Sequence, residues 1–126
     1  MAGTLEVGQR LVALCRENRH VDAVNELYAP NVVSVEAMEY PGMPRRHEGI
    51  EAIRKKNQGW LDNHTVHANT VEGPYPHGDR FIVHYKMDVT SKAGPMAGRR
   101  MQVEEAALYT VRDGKVAQEE FFYHMG

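Results

Sequence analysis

The stretch from residue 101 to 123 constrains the fold most, because it contains two alternating strands joined by an Arg-Asp-Gly-Lys turn at residues 112–115. An Asp-Gly pair between alternating segments is a strong local signal for a β-hairpin. Each strand also carries two adjacent glutamates, at positions 104–105 and 119–120. Since adjacent strand residues point to opposite faces, one glutamate of each pair is expected to face the rest of the protein. Buried carboxylates are costly without partners and are common in acid–base sites.

Length and charge limit the classes of protein to consider. The 126 residues predict a single domain over 1–126. With 15 basic and 17 acidic residues there is no strong charge excess, so nucleic acid is not an expected partner. No apolar run approaches the roughly 18 residues of a membrane-spanning helix, so no membrane is expected either. A single cysteine, Cys15, excludes a disulfide within the chain and favours a cytoplasmic location.

Helical periodicity is confined to the first half of the chain, and strand-like alternation fills the second. The first helix is expected to begin with Thr4 as its N-cap, and the second to end at Pro30. The other predicted elements are a strand over 31–38, a third helix over 49–63, and strands over about 65–71, 80–90, 99–111 and 115–124. This ααβαββββ order predicts the α+β class, with one curved antiparallel sheet and the helices on a single face.

Three segments in this order resemble a known fold. They are Leu-Tyr-Ala-Pro-Asn running into a Val-rich strand over 27–36, Gly-Ile-Glu-Ala-Ile-Arg over 49–54, and Tyr-Thr-Val-Arg-Asp-Gly-Lys-Val over 109–116. Together they resemble the cone-shaped fold of the nuclear transport factor 2-like superfamily, in its SnoaL-like and ketosteroid-isomerase-like branch. The resemblance implies a curved sheet wrapped around N-terminal helices, with a mostly apolar pocket between them. Members include isomerases, cyclases, dehydratases and binding domains, so the fold alone does not choose a function.

The resemblance implies one catalytic position, Glu36. In the family's ketosteroid isomerases a general-base carboxylate lies on the first strand, eight residues after the aromatic residue of a Leu-aromatic-Ala segment, and eight residues after Tyr28 is Glu36. Burial in an apolar cone removes hydration from a carboxylate and raises its pKa toward neutrality, which suits proton transfer. The alternative is a solvent-facing or purely structural Glu36. Alternation does not decide, because both faces of this strand are equally apolar.

The other parts of the isomerase site are missing. The resemblance implies a tyrosine near Leu11 or Val12 and an acid near Ala107, both donating hydrogen bonds to the substrate oxygen, but no tyrosine precedes Tyr28. Losing one such donor costs about 3 kcal/mol of transition-state stabilisation or more. The chain is therefore not expected to be a ketosteroid isomerase of the usual kind.

Which side chains of the hairpin point inward depends on the type of turn. On the second strand the resemblance selects four inward positions, Ala117, Glu119, Phe121 and Tyr123. A two-residue turn places Glu104 beside Glu119, whereas a three-residue turn with Gly114 in a bulge places Glu105 there instead. The second turn is expected because its inward face is the more apolar, and the inward set on that strand is then Glu105, Ala107 and Tyr109. Glu105 and Glu119 then share a proton or need a donor, or else belong to an ordinary polar network.

The third helix and the histidines complete the candidates. The resemblance places a pocket side chain at Asn57, and Trp60, one turn on, is either a stacking wall for a flat ligand or ordinary core packing. The seven histidines show no recognisable ligand spacing, since His64 and His67 point to opposite faces of a strand, so no metal is expected. No cofactor motif is present in the sequence, and no cofactor is expected.

Two functions remain open. The first is a SnoaL-like, cofactor-independent acid–base enzyme of the isomerase, cyclase or dehydratase type, acting on a small apolar metabolite with Glu36 as base or acid. The pocket residues predicted for it are Asn57, Trp60, Glu105, Tyr109, Glu119, Phe121 and Tyr123. The second is a non-catalytic ligand-binding or dimerisation domain whose carboxylates are structural. The resemblance also implies a homodimer through the outer face of the sheet, near His84 or Lys86.

Overall fold

The computed structural model describes residues 3–40 and 42–124. In that range the helices are α1 (Thr4–Arg16), α2 (His20–Leu27) and α3 (Ile50–Asn63). The strands are β1 (Tyr28–Val35), β2 (Arg46–Glu48), β3 (His64–His77), β4 (Arg80–Ser91), β5 (Arg100–Arg112) and β6 (Lys115–Phe122), and a short 3₁₀ turn spans Gly94–Met96. The strands form one curved, unclosed sheet in the order β2-β1-β6-β5-β4-β3.

The predicted α+β class and the packing of helices on a curved sheet are confirmed. Two details of the prediction are wrong. The sheet is mixed rather than wholly antiparallel, because β1 pairs in parallel with β6, with Val33 opposite Gln118. The order is ααββαββββ rather than ααβαββββ, because residues 46–48, expected in a loop, form β2 and pair with β1. Such a short strand forms because the outer edge of β1 offers unpaired backbone groups that it can cover.

Both N-terminal helices differ from the prediction at one end. The N-cap of α1 is Gly3, so Thr4 is the first helical residue rather than the cap. Helix α2 ends at Leu27 rather than at Pro30, because Tyr28 is already extended and begins β1. The first strand therefore starts earlier than the sequence pattern indicates, and proline lies within it.

Strand β3 runs on to His77, past its predicted end at residue 71. A register shift between β3 and β4 accommodates the Gly-Pro pair that was expected to break the strand. Gly73 has a φ of +128°, and a Cβ there would lie 2.9 Å from the carbonyl oxygen of Ile82. Only glycine fits this close approach of the two strands.

The core fills the space between the helices and the concave face of the sheet. Helix α1 lies over β3 and β4, and α3 lies over β1. The side chains that are almost wholly buried in this layer include Val7, Leu11, Leu14, Val32, Ile53, Phe81, Val83 and Val116. Polar side chains on the same face are therefore surrounded by apolar packing, which weakens their hydration.

The β5–β6 hairpin reaches the expected facing by an unexpected route. Its turn is the two-residue Asp113-Gly114 pair, both with positive φ, so the predicted three-residue turn is wrong. The register shifts further along, where Ala117 is an extra residue of β6 that has no partner on β5. This bulge turns Glu119 to the concave face, on the same side as Glu105. Ala117 itself, expected to point inward, is the bulged residue.

Candidate functional site

A buried lysine, Lys56, holds the centre of a polar cluster on the concave side of the sheet. Its Nζ lies 2.8 Å from Oε1 of Glu36 and donates a hydrogen bond to Oγ of Ser34 at 2.7 Å. The Lys56 and Glu36 side chains are only 8% and 15% exposed. Lys56 reaches this place because α3 packs over β1 with Ile53, one turn earlier, fully buried. The two side chains form an ion pair largely withdrawn from water, which strengthens their attraction.

Glu36 directly follows β1, and a tyrosine holds its second oxygen. Tyr123, just past β6, donates a hydrogen bond to Oε2 of Glu36 at 3.1 Å, and Tyr40 donates to the Tyr123 hydroxyl at 3.4 Å. Burial, followed by the hydrogen bond from Tyr40 and the charge of Glu36, raises the pKa of Tyr123, so its hydroxyl stays a donor. The ring centroid of Phe121 lies 4.9 Å from Nζ of Lys56. Both residues, predicted from the sequence to line a pocket, therefore surround the ion pair.

Glu119 is a deeply buried carboxyl of the cluster, with 1% of its surface exposed. Ser34 donates to its Oε2 at 3.3 Å and so connects Glu119 to Lys56. Burial raises the pKa of Glu119, while the Lys56 ammonium and the nearby Tyr28 hydroxyl act in the opposite direction. Oε1 of Glu119 nevertheless has no hydrogen-bond partner among residues 3–40 and 42–124. An unpaired oxygen is costly for an ionised carboxyl, which agrees with the raised pKa of Glu119.

Glu105 faces the same space from β5. Burial, followed by the negative charge of Glu36, raises the pKa of Glu105 to about 7, and the Lys56 ammonium opposes this shift. Glu105 is therefore partly protonated near neutral pH. Three carboxyls share one ammonium, so the protonation of Glu105 and Glu119 depends on the charges around them.

Tyr109 belongs to the core rather than to the surroundings of Glu36. Its ring stacks on Phe81 at a centroid distance of 5.0 Å, and only 2% of the residue is exposed. Its hydroxyl lies 2.7 Å from that of Tyr85, whose hydroxyl lies 3.8 Å from Sγ of Cys15. The hydroxyl of Tyr109, a residue predicted from the sequence to line a pocket, therefore makes its hydrogen bond within the core.

On α3 the structure brings Lys56, and not the predicted Asn57, to the carboxyls. Asn57 instead lines an open cleft of about 490 Å³ between α2 and α3. Both positions lie about one turn after Ile53, so helical periodicity fits either one. The signal that sequence reasoning missed is a lysine within the stripe formed by Ile53 and Trp60.

Trp60 stacks on His64, with ring centroids 4.4 Å apart and planes 14° from parallel. The stack lines a second cleft of about 320 Å³, between the end of α3 and the neighbouring part of β3 and β4. Trp60 therefore lines this cleft. Neither cleft is lined by the three clustered carboxyls, Glu36, Glu105 and Glu119.

Neither a metal site nor a membrane-spanning helix is found in residues 3–40 and 42–124. No three His, Cys, Asp or Glu side chains in that range come together as ligands for a metal ion. The longest helix there, α3, has 14 residues, and none is long and apolar enough to cross a membrane.

The cluster has the groups that proton transfer requires. Glu36 is a carboxylate that keeps some contact with solvent, and Lys56 is a cation beside it. Glu105 exchanges a proton near neutral pH. A proton acceptor, a positive charge and a proton donor within one apolar enclosure are the components of general acid–base catalysis.

Comparisons with known proteins find similarity over nearly the whole chain. A family model described as a SnoaL-like domain matches residues 2–123. A Mesorhizobium loti protein, provisionally assigned as a SnoaL-like polyketide cyclase, is 40% identical over 94% of this chain and 97% of its own, with a TM-score of 0.86. A Catenulispora acidiphila protein with a ketosteroid-isomerase-like fold, solved with trimethylamine, is 18% identical over 97% of this chain and 88% of its own, with a TM-score of 0.71, which shows the fold alone. No curated protein matches the chain.

Proposed function

Since this chain belongs to the SnoaL-like family of the nuclear transport factor 2-like superfamily, we propose that it is a cofactor-independent acid–base enzyme acting on a small, largely apolar carbonyl compound. The observation that carries the proposal is the placing of Lys56 among three carboxyls, with Glu36 in direct contact. The cytoplasmic location predicted from the sequence is part of the proposal. A buried free thiol at Cys15 fits a reducing compartment.

Glu36 is the proposed base. It takes a proton from the carbon next to the carbonyl, so that a C–H bond breaks, an O–H bond forms on Glu36, and the electron pair moves onto the substrate oxygen. The protonated form of Glu105 then returns a proton to the substrate. Isomerisation, aldol-type cyclisation and dehydration all begin with this step and need no cofactor.

Lys56 supplies the positive charge that such an enolate needs. An ammonium has three N–H donors, and those of Lys56 have two hydrogen-bond acceptors among the described residues, Ser34 and Glu36. The third donor is left for a substrate oxygen. The positions where isomerases carry their donors hold buried apolar groups here, Leu11, Val12 and Ala107. In this chain the lysine of α3 takes over their task.

Hydrogen exchange at carbon tests the proposal. The protein is incubated in D₂O with a panel of apolar cyclic ketones, from cyclohexanone to 2-tetralone, and loss of the signal of the protons next to the carbonyl is followed by NMR. Glu36→Gln preserves shape but cannot take a proton, so we expect exchange to slow by about 100-fold or more. Glu104→Gln, on the other face of β5, is the matched control and is expected to exchange like the wild type. Equal exchange by Glu36→Gln and wild type would remove Glu36 from the mechanism.

The second candidate is a non-catalytic ligand-binding domain. It is favoured by one observation: both oxygens of Glu36 already have partners, Lys56 and Tyr123. On this view the cluster is a polar network that fixes the packing of α3 on the sheet. It predicts that no ketone exchanges faster with the wild-type protein than with Glu36→Gln, while small molecules still bind.

The homodimer implied by the resemblance is also a proposal. Strands β3, β4 and β6 expose large apolar side chains on the convex face, where Tyr75 lies opposite Ile82 in the ladder. Tyr75, Ile82 and Phe122 are 55%, 42% and 53% exposed. Apolar side chains gathered on one face are typical of protein–protein contacts.

Sedimentation equilibrium tests the dimer. We expect the wild-type protein to be dimeric. Phe122→Ser is expected to raise the dissociation constant of the dimer about tenfold, because a large apolar contact is lost. Leu5→Ser removes an equally exposed apolar side chain from α1 and is the control. A wild-type protein that is monomeric at high micromolar concentration would rule the proposal out.

A further inference from the structure

The cleft beside Trp60 adjoins the carboxyl cluster. Trp60 lies one turn after Lys56 on α3, so the two side chains share a face of the helix. Met87, which also lines the cleft, lies two residues after Tyr85 on β4, and Tyr85 pairs with Glu105. Residues in this diagonal relation have side chains on one face within reach of each other. The cleft therefore lies about one helical turn from Lys56 along α3 and one diagonal step from Glu105 across the sheet.

One wall of the cleft is a flat aromatic surface with a hydrogen-bond acceptor. Nδ1 of His64 lies 2.8 Å from the carbonyl oxygen of Trp60, and since a carbonyl only accepts, Nδ1 carries the hydrogen. In the neutral ring Nε2 is then an acceptor, and it has no hydrogen-bond partner within residues 3–40 and 42–124. The stack thus offers a surface for a planar ring and an acceptor for a hydroxyl group at its edge.

The remaining walls limit the size and polarity of a ligand. Leu61, Val66 and Met87 supply apolar surface, and Asn18 and His20 lie at the α1–α2 connection. The volume of about 320 Å³ is at the lower end for small-molecule sites. A ligand with one or two fused rings fills such a space, whereas longer ring systems do not fit.

We propose that this cleft, lined by Trp60, His64 and Met87, binds a planar hydroxylated ring system of one or two rings, stacked on Trp60 with its hydroxyl on Nε2 of His64. The proposal rests on the proposed function, because it makes the cleft the part of the site that orients the substrate toward Glu105 and Lys56. Trp60 and His64 are then determinants of specificity, selecting flat rings over saturated ones.

A single reporter makes the test direct. Trp60 is the only tryptophan of the chain, so its indole N–H gives one resonance in a ¹⁵N–¹H correlation spectrum. The Glu36→Gln protein is titrated with 2-naphthol, with naphthalene, which lacks the hydroxyl, and with decahydro-2-naphthol, which is not flat. We expect 2-naphthol to shift the indole resonance and to bind about tenfold tighter than the saturated alcohol, which is the worth of one stacking contact.

The second cleft provides a control within the same spectrum. The side-chain amides of Asn25, Asn57 and Gln58 line the cleft between α2 and α3, and we expect them not to move. Shifts at these amides with an unmoved Trp60 resonance would overturn the proposal. Equal affinity for flat and saturated alcohols would overturn it as well.

Two variants separate the contributions of the stack and the acceptor. Trp60→Leu is expected to lose about tenfold in 2-naphthol affinity. His64→Phe keeps an aromatic ring but lacks the acceptor, so we expect it to bind naphthalene and 2-naphthol equally. This test does not depend on whether the Trp60→Leu protein folds well. A hydroxyl preference that survives in His64→Phe would contradict the assigned acceptor. Failure of 2-naphthol to bind alongside normal ketone exchange would overturn this inference alone, whereas binding without exchange would overturn only the proposed function.

Discussion

Both faces of the β5–β6 hairpin carry glutamates, but the environments of the two faces are opposite. On the convex face Glu104 is exposed, and its Oε1 lies 2.9 Å from Nε2 of His84. On the concave face Glu119 is 1% exposed, and the pKa of Glu105 rises to about 7. Glu104 and Glu105 are adjacent in sequence and chemically identical. Facing alone therefore decides which glutamate becomes able to exchange protons near neutral pH.

A single residue sets that facing on β6. Because Ala117 is an extra residue, every later side chain of the strand is turned to the other side. If Ala117 instead paired regularly with β5, Glu120 would replace Glu119 on the concave face, and Tyr123 would point away from Glu36. The composition of the site thus depends on strand register as much as on which residues the strand contains.

The largest effect is expected from removing the only cation of the concave cluster. Lys56→Met leaves Glu36 and its neighbouring carboxyls without a positive partner, and breaking a buried pair in this way costs about 3–5 kcal/mol of unfolding free energy. The change is measured by urea unfolding at pH 8. Lys55→Met, at the exposed neighbouring position on α3, is the control and is expected to change stability by less than about 0.5 kcal/mol.

The same variant also tests the electrostatic origin of the effect. At pH 5 more of the carboxyls are protonated, so the loss caused by Lys56→Met is expected to be smaller than at pH 8. A loss that is the same at both pH values would mean that Lys56 contributes through packing of its aliphatic chain. A loss of unfolding free energy no larger than that of Lys55→Met would mean that a lysine contributes equally to stability on the two faces of α3.

A smaller effect is expected from Glu105→Gln, and it depends on pH. The pKa of Glu105 is about 7 in the folded protein against an ordinary 4.5, so between these values the folded state holds a proton that the unfolded chain has lost. The contribution of this group to stability is therefore complete below about pH 4.5 and is lost as the pH rises to about 7. Glutamine does not titrate, so relative to wild type the variant should gain about 1–3 kcal/mol between pH 4.5 and pH 8 in urea unfolding.

The smallest effect on stability is expected from Glu104→Gln, on the convex face. The exposed pair with His84 is worth less than about 1 kcal/mol, so the stability of this variant should follow that of the wild type across the same pH range. If the two glutamine variants showed the same pH dependence, the difference between the faces of the hairpin would not lie in burial.

Most of the fold could be predicted from sequence because local patterns specify it. Helical periodicity indicated the three helices, alternation indicated the long strands, and the Asp-Gly pair identified the turn of the hairpin. The short strand β2 could not be predicted, since three residues carry no periodicity and pair only because the edge of β1 is nearby. The parallel pairing of β1 with β6 joins segments distant in sequence, and no local signal specifies it.

The candidate site was predicted less completely, for two physical reasons. Periodicity places both Lys56 and Asn57 one turn after Ile53, and only the packing of α3 on β1 decides which of them meets the carboxyls. The facing of Glu119 was predicted through a turn that does not exist, because a bulge inside β6 has the same effect on register as a longer turn. The roles assigned to Glu36 and its neighbours stay predictions until exchange is measured.

The position of β6 in the sheet also bears on how the protein folds. This strand is the last of the six in sequence, yet it lies between β1 and β5. The hydrogen bonds from Ser34 to Glu119 and from Tyr123 to Glu36 join residues 85 and 87 positions apart. Contacts so distant in sequence form late and slowly, because a long loop must close before they are gained. The contacts of Glu119 and of Tyr123 therefore form only when β6 is inserted, so we expect completion of the site to coincide with completion of the sheet.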